Sequence, residues 1–163
     1  MIRKGDKLPD GEIWELAGDE GSKGPKQQSV NKLCAGKKII VFGLPGAFTP
    51  TCSDNHLPGF LKLANDLLQK ADEIWCISVN DAFVMDAWGK QNQVRGKIKM
   101  LADGNCLYAG KLGLTTDFTS KGMGVRMRRF SMFVSNGIVD QLNVESPGEF
   151  SVSSAEILLS QLK

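Results

Sequence analysis

The sequence is poor in several residue types, and each shortage argues against a class of function. Among 163 residues there are four cysteines, one histidine and one tyrosine, which is too few for a familiar histidine–cysteine zinc signature. No two cysteines form a C-x-x-C pair, the common motif of disulfide oxidoreductases. No apolar run approaches the roughly 18 residues that a membrane-spanning helix needs. We therefore expect no metal centre and no membrane association.

An excess of charge of one sign is also missing. Lysine and arginine number 20 against 18 aspartates and glutamates, which gives a formal net charge of +2, and this balance predicts no nucleic-acid partner. No glycine loop of the phosphate-binding type is visible, so we expect no nucleotide cofactor. The N-terminal segment MIRKGDKLPDGEIW contains acidic residues and no apolar core, unlike a secretory signal or a transit peptide. We predict a cytoplasmic protein.

Apolar runs rich in β-branched residues predict strands, and the segments between them have helical spacing. The Asn136-Gly137 pair predicts a hairpin, and the polar segment 18–29 predicts a surface loop or hairpin tip. The predicted strands are 38–44, 74–79, 98–102, 130–134 and 138–144, and the predicted helices are 57–68, 81–91 and 153–162. This order predicts one α/β domain over residues 1–163, with a central mixed sheet flanked by helices.

Several residues carry signals for how these helices begin. Pro58 predicts a bend near the start of the first helix. Either Asn80 or Asp81 caps the second helix. Ser153 and Glu156 have the spacing of a capping box for the last helix.

Cys52 differs from the other cysteines by its place, since it follows the bend PGAFTPT directly after the first predicted strand. Two alternatives exist for the helix that begins there: Thr49 is the N-cap with Pro50 as the first helical residue, or Thr51 is the N-cap. Both alternatives put Cys52 in the first turn. There, unpaired backbone N–H groups and the positive end of the helix dipole stabilise a thiolate, the nucleophilic form of the thiol. We predict that Cys52 is reactive.

Thr49 lies three residues before Cys52, on the same helical face, where a C-x-x-C motif has its first sulfur. A hydroxyl there cannot form a disulfide, but it can hold a substrate that contains oxygen. Attack of the thiolate on a peroxide would give a sulfenic acid and release water or an alcohol. The charge that develops on the departing oxygen calls for a fixed cation, and arginine suits this role better than lysine.

The candidate cations are Arg95, Arg126, Arg128 and Arg129, whereas Arg3 is too near the terminus to favour. If RMRRFSMFV is extended throughout, the first two arginines of that run share one face and the third points to the other. This pattern leaves open which of the faces reaches the site.

Pro45, Thr49 and Cys52 form the pattern P-x-x-x-T-x-x-C, which resembles the active-site motif of the peroxiredoxins, the thiol peroxidases. The blocks PGAFTPTCSDNHLPGF, ISVNDAFVMDAWG, GVRMRRFSM and NVESPGEFSVSSAEIL resemble the type II, peroxiredoxin-five-like branch, above all its plant-type members. The resemblance extends from about Ile2 to the end of the chain. It implies a thioredoxin-like fold, a homodimer and reduction of hydrogen peroxide and organic hydroperoxides without a cofactor. Thioredoxin, or glutathione with glutaredoxin, would supply the electrons.

The resemblance also implies roles for individual residues. Cys52 would be the peroxidatic cysteine, Thr49 would contact the peroxide, and the ring of Pro45 would shield the thiolate. The R-F-S context selects Arg129 as the active-site cation. Some members carry a resolving cysteine in the segment that is GEFSVSSAE here, which contains none. Cys76 matches the position of a second cysteine in plant-type members, and the alternative is that it is a buried core residue.

The remaining candidates have simpler interpretations. We interpret His56, four residues after Cys52, as a structural or supporting residue rather than a general base. Cys34 and Cys106 are predicted to have no catalytic role, and the tryptophans at 14, 75 and 88 are predicted to be packing residues. The rival hypothesis is a non-enzymatic redox sensor or chaperone-like protein that uses Cys52 as a switch.

Overall fold

A seven-stranded mixed sheet with the strand order β2-β1-β5-β4-β3-β8-β9 forms the centre of the molecule. The computed structural model describes residues 1–162; Lys163, the last residue of the predicted domain, lies outside them. The strands are β1 (Glu12–Ala17), β2 (Gly24–Ser29), β3 (Lys38–Leu44), β4 (Glu73–Ser78), β5 (Lys99–Ala102), β6 (Thr115–Phe118), β7 (Gly124–Met127), β8 (Phe130–Ser135) and β9 (Ile138–Val144).

The helices pack around this sheet and follow the predicted order. They are α1 (Val30–Cys34), a π-helical segment (Cys52–His56), α2 (Leu57–Lys62), α3 (Ala64–Leu67), α4 (Ala82–Gln91), α5 (Leu107–Leu112), a 3₁₀ turn (Thr119–Lys121) and α6 (Ala155–Gln161). No helix within residues 1–162 is long and apolar enough to cross a bilayer. The α/β prediction with a central mixed sheet flanked by helices is confirmed.

β3 is an interior strand of the sheet, parallel to β4 on one side and antiparallel to β8 on the other. Alternate residues of a strand face opposite sides of a sheet, and β3 is apolar on both. Phe42 belongs to a core cluster that packs under α2, α4 and α6. Val41 belongs to a second cluster on the opposite face, which includes residues of α1 and α5. Burial on both sides explains why this strand reads as a continuous apolar run.

The predicted hairpin and the five predicted strands are present in the structure, whereas β1, β6 and β7 were not predicted. Asn136 and Gly137 both have positive φ, 47° and 81°, as a tight turn between β8 and β9 requires. The segment 18–29 is only partly a loop, because residues 24–29 form β2 and pair with β1. The polar side chains of β2 belong to an edge strand, which needs no apolar alternation on its exposed side.

Two helix predictions need correction. The predicted helix 57–68 is not continuous, because Leu63 (φ −97°, ψ 9°) separates α2 from α3. The capping box at Ser153 is wrong: Ser154 caps α6 by accepting a hydrogen bond from the Ile157 N–H. The hydroxyl of Ser153 instead donates to Glu145 Oε2 at 2.7 Å, because that buried carboxylate competes for it.

The helix after β3 begins with an unusual turn. Residues 52–56 are π-helical, and the Leu57 N–H donates to the Cys52 carbonyl, five residues back. Pro58 follows and has no N–H to continue the α-helical ladder. The predicted bend near Pro58 therefore takes the form of a widened turn that contains Cys52 at one end and His56 at the other.

Candidate active site

The loop from Pro45 to Thr49 leaves the carboxyl end of β3 and is fixed by side chains from two other segments. Asn80 Oδ1 accepts a hydrogen bond from the Ala47 N–H at 2.9 Å, and Arg126 Nη1 donates to the Pro45 carbonyl at 3.2 Å. Of the two predicted caps for α4, Asp81 is the one that accepts from a helix N–H. Asn80 holds the active-site loop instead.

The helix begins at Pro50, which makes Thr49 the residue before the first helical position. Thr51 already has helical angles, φ −63° and ψ −36°, so the alternative with Thr51 as the cap is not adopted. The Thr49 hydroxyl donates to the Gly46 carbonyl at 2.7 Å. Because its single hydrogen is used there, the oxygen of Thr49 presents lone pairs to a substrate. Cys52 lies in the first turn, as both alternatives required.

The Cys52 thiol is fully buried, and its closest polar partner is an arginine. Arg129 Nη2 donates to Cys52 Sγ at 3.2 Å. Arg129 is itself buried, at 9% exposure, so little water screens its charge from the sulfur. A guanidinium cannot lose its charge in a protein, so a permanent positive charge lies beside the sulfur.

His56 contacts the same arginine from the other side. Its Nε2 is 3.0 Å from the Ser153 carbonyl oxygen, which can only accept, so Nε2 carries the hydrogen. Its Nδ1 is 3.0 Å from Arg129 Nη1 and accepts from it. Burial, together with the Arg129 charge, lowers the pKa of His56 to about 3. The imidazole is neutral at physiological pH, and its one lone pair is already occupied, so it is not a general base.

Behind His56, residues 145–153 form a segment that we call the strap. The Glu145 carboxylate accepts hydrogen bonds from the N–H groups of Ser151, Val152 and Ser153 and from both serine hydroxyls. Burial acts to raise the pKa of Glu145, but these hydrogen bonds outweigh it and lower the pKa to about 2. The strap also places the Phe150 ring 5.1 Å from the His56 ring and 5.7 Å from the Arg129 guanidinium carbon.

The other candidate arginines have different partners. Arg126 Nη1 donates to the Pro45 carbonyl in the loop and to the Val79 carbonyl directly after β4. Arg128 Nη2 donates to the Glu145 carbonyl at 2.8 Å. Arg128 and Arg129 lie between β7 and β8, so RMRRFSMFV is not one continuous strand. Arg95 lines a separate groove beside α4, and the backbone N–H of Arg3 binds Asp6. Arg129 alone of these contacts Cys52.

An open pocket of about 300 Å³ lies over the site, and its walls include Pro45, Thr49 and Arg129. All three were predicted from the sequence to be active-site residues. Cys52 itself has no exposed surface, so a molecule that enters the pocket meets these residues before it reaches the sulfur. A narrow group such as a hydroperoxide fits this access better than a bulky one.

The remaining cysteines are not at the site. Cys76 is fully buried on β4 within the core cluster that also contains Cys52, and burial, together with the nearby Cys52, raises its pKa well above the usual range. Cys34 and Cys106 belong to the cluster on the opposite face of the sheet. Burial, with the Glu73 charge, raises the pKa of Cys34 to about 11, and burial also raises that of Cys106. The structure describes no disulfide among these four.

No group of three metal-binding side chains comes together within residues 1–162. The tryptophans contribute mainly to packing: Trp75 and Trp88 are buried in opposite core clusters, and Trp14 packs against the same cluster as Trp88. The Trp88 Nε1–H also donates to Ser53 Oγ at 3.2 Å, which attaches α4 to the π-helical segment.

Comparisons with known proteins identify the family that carries this site. The sequence profile of the Redoxin family matches residues 3–159. Peroxiredoxin-2D of Arabidopsis thaliana is 50% identical over 162 residues, which cover 99% of this chain and 98% of the relative. The chain belongs to the peroxiredoxin family. It is an α/β protein of the thioredoxin-like class and a thiol-dependent peroxidase, as the resemblance implied, rather than a non-enzymatic switch.

Two further comparisons extend this result. Peroxiredoxin-2E, chloroplastic, of Arabidopsis thaliana is 48% identical, over 99% of this chain and 69% of the relative. The crystal structure of reduced Prx3 from Vibrio vulnificus in complex with hydrogen peroxide has a TM-score of 0.93 and 45% identity, and all of both chains is covered. The chain is thus similar to plant type-2 peroxiredoxins in sequence and to a bacterial peroxiredoxin in structure.

Sequence reasoning did not find several residues of this peroxiredoxin site. Glu145, Phe150 and Asn80 act through folded contacts that no spacing rule reveals. Arg126 was considered only as a candidate cation, although its contact is with the loop backbone. A signal was present for Glu145, since it is a carboxylate between a strand and a serine-rich segment, but its burial could not be read from the sequence.

Proposed function

We propose that this peroxiredoxin reduces hydrogen peroxide and organic hydroperoxides at Cys52. The thiolate attacks one peroxide oxygen, the O–O bond breaks, and Cys52 becomes a sulfenic acid. The second oxygen leaves as hydroxide or alkoxide and takes up a proton to give water or an alcohol. The contact of 3.2 Å between Arg129 Nη2 and Cys52 Sγ carries this proposal, because it combines a nucleophile with a fixed cation. The hydrogen peroxide complex of the similar Vibrio vulnificus protein supports it.

The neighbouring residues have distinct proposed roles. Arg129 stabilises both the thiolate and the charge that develops along the breaking O–O bond. Thr49 accepts a hydrogen bond from the peroxide O–H, since its own hydrogen is donated to Gly46. Pro45 contributes an apolar wall beside the pocket and limits the access of water to the thiolate.

The test is rapid mixing of the reduced protein with peroxide. A peroxidase reacts orders of magnitude faster than a free thiol, and Cys52→Ser abolishes this fast phase. A Cys52→Ser protein that consumed peroxide at the wild-type rate would contradict the proposal.

We further propose that a small external thiol, such as glutathione, competes with Cys76 for the sulfenic acid. Condensation of the sulfenic acid with a thiol releases water and leaves a disulfide on Cys52; a second thiol, from glutaredoxin or thioredoxin, then reduces it. Cys76 is on the face of the sheet that packs against the helix carrying Cys52. Its complete burial and raised pKa make it a slow nucleophile, and reaction requires local unwinding of the Cys52 turn.

One equivalent of peroxide, added without reductant and followed by intact-mass measurement, separates these routes. Loss of two hydrogens with a peptide that links Cys52 to Cys76 supports internal resolution, and Cys76→Ser serves as the control that cannot form it. A stable gain of one oxygen, which becomes a glutathione adduct only when glutathione is added, excludes Cys76.

We propose that the protein is a homodimer built from loops around the active site. Phe48, in the active-site loop, is half exposed, at 50%, and an exposed aromatic side chain beside a functional site suits an interface. We also propose the cytoplasm as the location. Because one relative is named chloroplastic, fractionation of cells that express the native gene is the test.

A further inference from the structure

The buried contacts of His56 point to a role in the reaction that the steps above do not assign. The side chain is 1% exposed and lies four residues after Cys52, at the other end of the same π-helical segment. It connects the strap to the active-site arginine through the hydrogen bonds at Nε2 and Nδ1.

The orientation of the imidazole is fixed by packing as well as by hydrogen bonds. Its ring centroid is 5.1 Å from those of Phe42 and Phe150 and 5.5 Å from that of Phe60. With aromatic rings around it and Nε2–H donated to the Ser153 carbonyl, Nδ1 can present only its lone pair to Arg129. Ser153 is in turn held by the Glu145 carboxylate through its N–H and its hydroxyl.

A guanidinium is a rigid, planar fork. When one terminal nitrogen is held in place, the direction of the other is fixed as well. In this site, Nη1 of Arg129 is held by His56 and Nη2 contacts Cys52 Sγ. The connected groups therefore run from Glu145 through Ser153 and His56 to Arg129, and they end at the reactive sulfur.

We propose that His56 is a positioning residue for peroxide reduction: as a neutral Nε2–H tautomer, it accepts a hydrogen bond from Arg129 and aims the guanidinium at Cys52 and the bound peroxide. The proposal rests on the proposed roles of Cys52 and Arg129. His56 transfers no proton and touches no substrate. It acts on the rate through the direction of Arg129.

Two substitutions separate this role from a structural one. In His56→Asn, the amide oxygen takes the place of Nδ1, so the acceptor for Arg129 is kept and the contact with Ser153 is lost. In His56→Gln, the amide nitrogen takes the place of Nε2, so the donor to Ser153 is kept and the acceptor for Arg129 is lost. Each variant thus retains one of the two hydrogen bonds.

The measurement is the second-order rate constant for reaction of each reduced variant with hydrogen peroxide. His56→Gln is expected to react about 10- to 100-fold more slowly than the wild type, the range for a misplaced supporting group. His56→Asn is expected to be faster than His56→Gln. In an Arg129→Gln background, His56→Gln is expected to cause no further loss, because there is no guanidinium left to aim.

Folding is monitored by urea unfolding of every variant. If instability alone caused the slow reaction, the order of the rate constants would follow the order of the unfolding midpoints. Three results would overturn the proposal: a wild-type rate for His56→Gln, a His56→Gln rate at or above that of His56→Asn, or losses from His56→Gln and Arg129→Gln that multiply in the double variant. Wild type and Cys52→Ser, measured alongside, report separately on the proposed function.

Discussion

Arg129 divides its guanidinium between two buried partners, with Nη2 at 3.2 Å from Cys52 Sγ and Nη1 at 3.0 Å from His56 Nδ1. Cys52 and His56 belong to one helical segment, whereas Arg129 lies 77 residues after Cys52 in the sequence. A lysine could supply the charge, but its three donors share one nitrogen, so it lacks the rigid fork that places a separate nitrogen against each partner. This geometry gives a reason for arginine at 129 beyond its permanent charge.

The first residue-scale prediction concerns this cation. Arg129→Gln is expected to lower the rate constant for peroxide by about 100- to 1000-fold, as for loss of a group that stabilises developing charge. Arg129→Lys is expected to recover only part of it. Rapid mixing measures the rate constant, and Arg95→Gln, in a groove away from the site, is the matched control. Retention of the wild-type rate in Arg129→Gln would redirect the role to Arg126 or Arg128.

A second residue-scale prediction concerns pH. Because the pKa of His56 is lowered to about 3 from 6.5, the unfolded chain binds a proton between these values that the folded chain does not. Stability therefore falls as the pH decreases below about 6.5, by at most about 1.4 kcal/mol per pH unit from this group. His56→Asn removes the group, and the plot of unfolding free energy against pH should flatten.

Urea unfolding of the wild type and of His56→Asn between about pH 6.5 and pH 4.5 tests this, because the difference between the two proteins is due to the histidine. Below that range, the Glu145 carboxylate contributes too. Its pKa is lowered from 4.5 to about 2, so its stabilising effect is present above pH 4.5 and is lost as the pH falls towards 2. An unchanged slope in His56→Asn at the higher pH would contradict a buried neutral imidazole.

At the scale of elements, β3 and β8 set the position of the arginine. Gly43 pairs with Phe130 across these strands, and a Cβ atom on Gly43 would lie 2.2 Å from a ring carbon of Phe130 and 2.7 Å from Met127 Sδ. No side chain fits there unless the Phe130 ring and the Met127 side chain move. Phe130 directly follows Arg129, so the close approach of the strands is tied to the site.

Gly43→Ala is expected to destabilise the fold by about 1–3 kcal/mol, the usual cost of overpacking. It should also slow peroxide reduction, because displacement of Phe130 moves Arg129 away from Cys52. The matched control is Gly24→Ala on the edge strand β2, where a Cβ atom meets nothing within 4 Å. Urea unfolding and rapid mixing test both expectations. Equal stability of the two variants would mean that Phe130 can move without cost.

At the scale of the whole molecule, two core clusters cover opposite faces of one sheet. Phe42 and Val41 are neighbours in β3 and anchor the two different clusters, so neither can come apart without exposing this strand. This arrangement supports the prediction of a single domain, which remains to be tested by unfolding. We expect one cooperative transition with the same midpoint by fluorescence and by circular dichroism.

The proposed homodimer gives another prediction at this scale. Sedimentation at micromolar concentration should yield twice the monomer mass of 17.7 kDa, and Phe48→Glu should shift the protein to the monomer by placing a charge in the interface. Ile138→Glu is the control, because Ile138 is also an exposed apolar residue, at 39%, but lies away from the active-site loop. It pairs with Ser135, and Ser135 pairs with Lys38, at the end of β3 opposite to that loop. A wild-type protein found only as a monomer would contradict the proposal.

Local rules predicted the reactive cysteine and several of the strands and helices, because each of these depends on residues that are close in the sequence. The bounds of β3 and β9 follow from apolar runs, the turn at Asn136-Gly137 follows from positive φ, and the place of Cys52 follows from a proline-framed helix start. In contrast, the pattern did not indicate β1, β6 or β7, since β6 and β7 have only four residues each and most of β1 is half-buried on both faces. Arg129 was selected over Arg128 by family resemblance and not by periodicity.

The contacts between these segments depend on how the chain folds and could not be predicted from local patterns. Nothing local distinguishes Arg126, which binds the loop backbone, from Arg129, which contacts the sulfur. Glu145 orders the strap because folding buries it beside a run of N–H groups, and this same burial takes Ser153 away from the predicted capping box. The acceptor role of His56 depends on a carbonyl 97 residues away and an arginine 73 residues away, and contacts at that separation are set by how the sheet and helices pack.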